Sequence, residues 1–321
     1  MQRRLVILAA ALAALATVFP AAAQQGTLRI VLGFPAGATA DLLSRLVAEH
    51  MRGTLGRPVI VENKVGAGGQ IANEAVKTAA PDGGTLLITP VATMAIFPHS
   101  FAGQLRYDPF KDFAPVAHLS NFQLGLGIAS TVPAKTLAEY VAAVKKDPKL
   151  GFYASAAAGS IPHFFGVMFG RAAGIELTHV PYKGTAQAMQ ALAGGDVSAV
   201  STVAADIGTL VKSGKARLLA VSGEKRAAAF PDVPTFRESG YDLVALPWYA
   251  MFAPAGTPQA EIDKAAKAAI AAMHDHGLYA RLEQMGLEPT GLGPQELARI
   301  LKADYEKWGP PIRASGFKPG Q

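Results

Sequence analysis

Apolar positions along this chain follow two periods in alternation. Short apolar runs of strand length occur at Leu28–Leu32, Val59–Val61 and Leu86–Ile88. Each is followed by small residues, and the first two then give way to helical patterns. After the first run, Leu42, Leu43, Leu46, Val47 and Met51 fall on one face of a predicted helix. After the second, Gly66-Ala67-Gly68-Gly69 leads into a helix predicted over 70–79. The third runs into another small-residue junction, Thr89-Pro90-Val91-Ala92-Thr93. Repeated strand–turn–helix units predict an α/β protein with mostly parallel sheets flanked by helices. Ligands of such sheets bind beyond the carboxyl ends of the strands.

The pattern changes at 113–129, a long apolar stretch without helical period, and a crossing into a second lobe is placed near Asn121. Thr136-Leu137-Ala138-Glu139 is a capping box opening a helix to Lys146. A strand at 151–153 ends in Ser155-Ala156-Ala157-Ala158-Gly159-Ser160. A helix is then predicted over 161–173, with Ser160 as N-cap and Pro162 in its first turn. Next come His179-Val180-Pro181, the loop Tyr182-Lys183-Gly184-Thr185 and a helix over 186–193. Strands at 199–202 and 217–221 follow, with a helix between them. The chain returns to the first lobe after Ser222, through an aromatic strand at 248–252. One helix runs from Thr257-Pro258 to about His276, and a last one from Pro294 to about Trp308. The expected organisation is a leader over 1–23, lobe 1 over 24–121 and 222–321, and lobe 2 over 122–221. Two crossings favour a hinge over a flexible tether.

The chemistry concentrates at two strand–turn–helix junctions, one in each expected lobe. In Gly33-Phe34-Pro35-Ala36-Gly37-Ala38-Thr39-Ala40-Asp41, small residues let backbone N–H groups and a positive helix end face the space above the turn. Ser155–Ser160 repeats the arrangement. Either junction alone reads as a tight turn; two with hydroxyls read as a shared anion site. Asp41 is an acid in a first helical turn, which caps the helix dipole, or else it contacts ligand. Lys183 is the single cation in these loops, either solvated or paired with a carboxylate. His163 either faces the ligand or packs on its helix.

Charge and composition narrow the class. Arg3-Arg4, an apolar run from Leu5 to Phe19 and Ala21-Ala22-Ala23 form an export signal with a cleavage site after about Ala23. The run is shorter than the ~20 residues a spanning helix needs. The chain has no cysteine, which excludes disulfides, thiolate nucleophiles and lipoprotein attachment. Its net charge of +6 is scattered, and two of those charges are Arg3 and Arg4. That is no nucleic-acid stripe, but a mild positive field favours a small anion. Gly66-Ala67-Gly68-Gly69-Gln70-Ile71 lacks the last glycine of a dinucleotide turn, and no cofactor is expected. His274 and His276 flank Asp275, but an i, i+2 pair does not share a helix face, so no metal is expected there.

In order and spacing, Phe34-Pro35-Ala36-Gly37 with Asp41, Val61-Glu62-Asn63, Gly66-Ala67-Gly68-Gly69, Pro81-Asp82-Gly83 and Tyr107-Asp108-Pro109 with Phe113-Ala114-Pro115-Val116 resemble one family. Tyr153-Ala154-Ser155, His179-Val180-Pro181-Tyr182-Lys183-Gly184, Pro231-Asp232-Val233-Pro234-Thr235 and Phe252-Ala253-Pro254-Ala255-Gly256-Thr257-Pro258 fit as well. The chain resembles the substrate-binding receptors of tripartite tricarboxylate transporters, the Bug-type periplasmic proteins. The resemblance implies a two-lobed type II periplasmic binding fold, a Venus flytrap, with a small carboxylate held between the lobes. It implies a monomeric periplasmic receptor, not an enzyme, working with the membrane subunits of such a transporter. Carried over by position, the first ligand loop holds Phe34, Pro35, Gly37, Ala38, Thr39 and Asp41. The second holds Ser155, Ala156, Gly159, Ser160 and His163. Thr89 and Thr93 match a third wall, Lys183 and Gly184 a fourth, and Thr202 the far wall.

Two departures stand out. Ala38 replaces a glycine common in the family, and the hydroxyl sits at Thr39. Where the family often has an Asp facing a ligand amino group, this chain has Ser201-Thr202-Val203, which favours a plain carboxylic acid. Two other readings stay open. One is an orphan or sensory receptor that signals to a membrane partner. The other is a secreted hydrolase using Ser155 or Ser160 with His163 and Asp41.

Overall fold

In the computed structural model, which describes residues 26–319, the chain builds two sheets flanked by helices. The predicted export signal lies outside the described residues. The first sheet has the order β11-β4-β10-β3-β1-β2. Its strands are β1 (Leu28–Leu32), β2 (Val59–Asn63), β3 (Thr85–Pro90), β4 (Phe113–Phe122), β10 (Trp248–Pro254) and β11 (Leu287–Leu292). The second has the order β7-β6-β8-β5-β9. It comprises β5 (Leu124–Ala129), β6 (Phe152–Ser155), β7 (Thr178–Pro181), β8 (Ala199–Val203) and β9 (Ala216–Val221).

Both sheets are mixed rather than mostly parallel. β1 pairs in parallel with β2 and β3, and β6 with β7 and β8, whereas β4, β5, β9, β10 and β11 pair antiparallel. The antiparallel strands include those that carry the chain across. β4 leaves the first sheet as β5 enters the second, and β9 and β10 make the return. Gln123, between β4 and β5, stitches the two passages together. It accepts from the Gly223 N–H (3.0 Å) and donates to Lys225 O (3.1 Å) and Glu288 Oε1 (2.8 Å). Ser222 Oγ accepts from Leu124 N–H (2.9 Å) and donates to Ala245 O (2.6 Å). Hydrogen bonds between the strands of a double crossing make it a hinge of defined direction.

The helices are α1 (Thr39–Leu55), α2 (Gln70–Lys77), α3 (Phe97–Ser100, behind a π-helical turn at Ala92–Ile96), α4 (Leu137–Lys146) and α5 (Ile161–Ala173). After them come α6 (Thr185–Gly194), α7 (Ala204–Lys212), α8 (Gln259–Met273), α9 (His276–Gln284) and α10 (Pro294–Ser315). The capping box at α4 is present: Thr136 Oγ1 accepts from Glu139 N–H, while the Glu139 carboxylate reaches the Lys135 amide. The buried face of α1 is Ala40, Leu43, Ser44, Val47, Ala48 and Met51, and the predicted face member Leu42 is 42 % exposed.

The helix predicted to run to about His276 stops at Met273, and a further helix that the sequence reading lacks, α9, starts at His276. Asp275 accepts from Leu278 N–H (2.9 Å) and so N-caps α9, with His274 closing α8 before it. α10 continues through Gly309-Pro310-Pro311, a sequence that reads as a stop. Trp308 and Ile312 are buried, and Arg171 of α5 donates to Ala314 O (2.8 Å), so packing outweighs the lost helical hydrogen bonds.

Candidate functional site

Sheet register fixes what faces what. Tyr249, at the start of β10, pairs with both Pro90 and Ser120, which puts the carboxyl end of β3 beside the crossing. Val203, at the end of β8, pairs with Leu124, just past Gln123. The carboxyl ends of the parallel strands therefore meet along one cleft. Going outward from the crossing, the sheet orders run β8, β6, β7 in one lobe and β10, β3, β1, β2 in the other.

The first turn is built tightly. A Cβ on Gly33 would lie 2.5 Å from Gly69 Cα, so the two glycine-bearing turns touch through backbone. Gly37 takes a left-handed φ of 82°, and Ala38 is the N-cap of α1. Asp41, in the third helical position, reaches back to the Gly37 N–H (2.9 Å) and also accepts from Asn63 Nδ2 (2.8 Å) and Arg45 Nε (2.9 Å). Burial alone would raise its pKa, but the Arg45, Asn63 and Gly37 donors hold it below the usual carboxylate value. Its carboxylate is committed to the turn. The amides of Thr39 and Ala40 make no hydrogen bond among the described residues and stand at the helix mouth.

The second turn repeats that construction. Gly159 has φ 74°, Ser160 is the N-cap of α5, and the third helical residue, His163, accepts the Gly159 N–H at Nδ1 (3.0 Å). The predicted side-chain cap at Ser160 is not formed, because its hydroxyl turns to Ala157 O (2.7 Å). Ser155 Oγ donates to Ala157 O (3.1 Å) and lies 2.7 Å from His179 Nε2. The His163 and His179 rings stack at 4.0 Å. Burial pulls His163 down to about 4; burial and the neighbouring His163 take His179 to about 3, so both are neutral at physiological pH. The amides of Ala157, Ala158, Ser160 and Ile161 make no hydrogen bond among the described residues.

One short segment carries both turns. The place of a Gly68 Cβ lies 3.1 Å from the Phe97 ring, that of a Gly159 Cβ 3.2 Å from the Phe101 ring, and those rings pack edge-to-face at 5.0 Å. Ser100 Oγ donates to Gly159 O (3.2 Å), a direct bond between the lobes. Phe34 rests against Gly69. Thr89 and Thr93 are buried beneath, with hydroxyls 2.7 Å apart and further bonds to Asn73 and Pro90, so they support the floor. The β7 loop is zipped to the second turn by Tyr182 N–H to Ser155 O and Gly184 N–H to Ala156 O, both 3.0 Å. Lys183 is exposed at its tip and has no ion pair among the described residues.

At the hinge end, Thr202 is buried with no hydrogen bond from its hydroxyl among the described residues. Two groups there escape a sequence reading. Asp206, in the first turn of α7, is partly buried and its carboxylate has no protein donor among the described residues; burial pushes its pKa up to about 6. Tyr249 is 8 % exposed, stacks on Phe122 at 4.8 Å, and its hydroxyl is unpaired among the described residues. Tyr249 is marked in sequence only as part of an aromatic strand, and an Asp in a first helical turn reads as a dipole cap.

The folded state favours neutral Asp206, so its ionisation opposes folding above pH about 6, and that cost fades as pH falls towards the ordinary carboxylate value. Asp206→Asn is therefore expected to raise stability by about 1 kcal/mol at alkaline pH and to add nothing near pH ~4. Urea unfolding across pH checks this.

The hydrolase set does not assemble. Asp41 is held by Gly37, Asn63 and Arg45, His163 takes the Gly159 amide, and Ser155 meets His179 instead.

The family model for the tripartite tricarboxylate transporter family receptor matches residues 43–317. The UPF0065 protein of the gbd 5′ region of Cupriavidus necator is 34 % identical, with 100 % of each chain covered. MatC of Rhodopseudomonas palustris, solved with bound malate, is 31 % identical with TM-score 0.80, over 89 % of this chain and 98 % of that one. An R. palustris protein solved with adipate is 28 % identical with TM-score 0.85, over 91 % and 98 % of the two chains. Family receptors of this kind serve transport rather than catalysis. With two mixed α/β lobes, paired turns at their junction and a match along almost the whole described chain, this protein belongs to the tripartite tricarboxylate transporter receptor family.

Proposed function

We propose that the protein is an exported periplasmic receptor that captures a small carboxylate between its lobes and delivers it to the membrane subunits of a tripartite transporter. One observation carries the reading: each lobe offers a helix start whose amides, at Thr39-Ala40 and at Ser160-Ile161, are unpaired among the described residues. Charge-assisted bonds from such amides compensate the hydration a carboxylate loses on entry. Relatives bound to malate and to adipate support the ligand class. Phe34, Pro35, Gly37 and Ala38 shape the first turn around these donors, and Ala156, Gly159 and Gly184 shape the second. Asp41, Thr89, Thr93, Ser155 and His163 hold the turns in place, with Lys183 at the mouth and Thr202 at the far wall. Closure selects a closed arrangement that the free protein already samples.

Isothermal titration with mono-, di- and tricarboxylates tests this directly. Thr39→Trp and Ser160→Trp are each expected to lower affinity by about 100-fold or more with the melting temperature moved by no more than about 2 °C. Retained affinity in both variants would remove the two turns from the site.

A further inference from the structure

We propose that Phe317 is a positioning residue of the ligand site: it seats the Gly159–His163 turn of the second lobe against the first and so couples that turn to closure of the cleft. This rests on the receptor reading above and adds to it what draws the lobes together.

Phe317 is carried by the first lobe. α10 packs on β4 and α3. Its Asp304 accepts from Trp248 Nε1 (2.6 Å), and its Tyr305 ring lies 4.2 Å from that of His99. The helix closes at Gly316, whose left-handed φ of 72° turns the chain, and the Phe317 amide donates to Ser315 Oγ (3.1 Å). These features fix the direction in which the ring leaves the helix end. The ring then reaches the other lobe. It stands edge-on to His163 (5.5 Å) and Phe164 (5.6 Å), with Phe101 of its own lobe at 6.2 Å. The place of a Gly159 Cβ lies 3.0 Å from two of its ring carbons, so the glycine lets the ring sit flush against the turn.

Gly159 is where the second turn is already pinned. Its amide is taken by His163 Nδ1 (3.0 Å) and its carbonyl by the Ser100 hydroxyl (3.2 Å). Phe317 adds an apolar contact to those two polar ones. Through Phe101 and Phe97 it also joins a chain of rings that ends against Gly68, beside the first turn.

The surroundings of the ring are those of a seam rather than a core. Gly316 and Lys318 are exposed on either side of it. An open cavity of about 180 Å³, lined by His163, Val167 and residues 315–318, lies between α5 and the helix end. Arg171 of α5 crosses the same seam to Ala314 O (2.8 Å), but in solvent. Rotation of the lobes apart about the crossing takes the ring off His163, Phe164 and Gly159 together and returns apolar surface to water. A contact made in one of two arrangements shifts the balance between them. A ligand that binds only the closed arrangement loses affinity in proportion to the fraction of protein that is open. Phe317 thus raises affinity by acting through the turn.

The chain has no cysteine, so spin labels at Thr54→Cys and Thr178→Cys report the lobe separation alone. The first lies on α1 beside the edge strand β2, the second on the edge strand β7. In the ligand-free protein, Phe317→Ala is expected to cut the share of the shorter separation by about threefold or more. Titration with the panel of mono-, di- and tricarboxylates should show affinity about tenfold lower in Phe317→Ala. Phe317→Leu keeps an apolar contact and should stay within about threefold of wild type. Thermal melts of the ligand-free variants are expected within about 2 °C of wild type, which confirms folding. An unchanged separation in Phe317→Ala overturns the inference, and so does unchanged affinity in a chain that binds. Both outcomes leave the carboxylate receptor intact. If no carboxylate binds the wild-type chain, that reading falls, while a changed separation in Phe317→Ala still upholds the coupling.

Discussion

Asp41→Ala is expected to lower stability by about 2–3 kcal/mol and carboxylate affinity by about 100-fold or more. Among the described residues the carboxylate is the only acceptor that the Gly37 amide has, and it shares Asn63 with Phe34 O. Removing it strands those donors and frees the turn that presents Thr39 and Ala40. Arg45 adds less, since its side chain is half exposed and water screens the pair. The depressed pKa sets the sign with pH. The contribution is present above the ordinary carboxylate range and is lost as acid titrates the folded state below it. Urea unfolding of wild type and variant should therefore differ most at neutral pH and converge in strong acid. A variant as stable as wild type at neutral pH, with affinity retained, would mean that the turn does not depend on this clamp.

Gly33→Ala is expected to cost a comparable amount of stability, about 3 kcal/mol. The new methyl would meet Gly69 backbone at Cα (2.5 Å) and O (2.9 Å), neither of which can rotate away. Gly69 has no retreat, because its own φ is 102° and Thr93 and Phe34 lie behind it. Gly53→Ala provides the contrast. It lies exposed within α1 with open space at its Cβ position, and alanine there should stabilise by about 1 kcal/mol. Paired melts of the two variants read both effects. A Gly33→Ala protein that melts like wild type would show that the two turns can separate.

Much of this is legible in the sequence because local patterns and packing agree. The strands at Leu28–Leu32 and Ala199–Val203 follow from apolar period, and the helix Ile161–Ala173 from its period and Pro162 in its first turn. What the sequence hides depends on partners far along the chain. β11 carries Pro289 and little apolar alternation, and it exists because the edge of β4 is there to receive it. The sense of β10 is set by its return from the other lobe, which period alone does not record. At the site, glycines and hydroxyls mark the turns, but not the use of each side chain. Asp41 and His163 look unalike, yet they occupy the same third helical position and accept the same preceding glycine amide. Asp206 reads in sequence only as a dipole cap, because its lack of a donor among the described residues depends on tertiary packing.

The end of the chain has a practical consequence for handling and for sensing. Phe317 packs edge-on to Phe101 of the first lobe (6.2 Å) and to His163 and Phe164 of the second (5.5 and 5.6 Å), just past the end of α10. An affinity tag fused directly after these residues would leave the protein beside the ligand turn, so a tag upstream of β1 is the safer design. The same geometry makes position 318 a natural attachment point for an environment-sensitive dye, whose emission would follow the lobes as they close on a carboxylate.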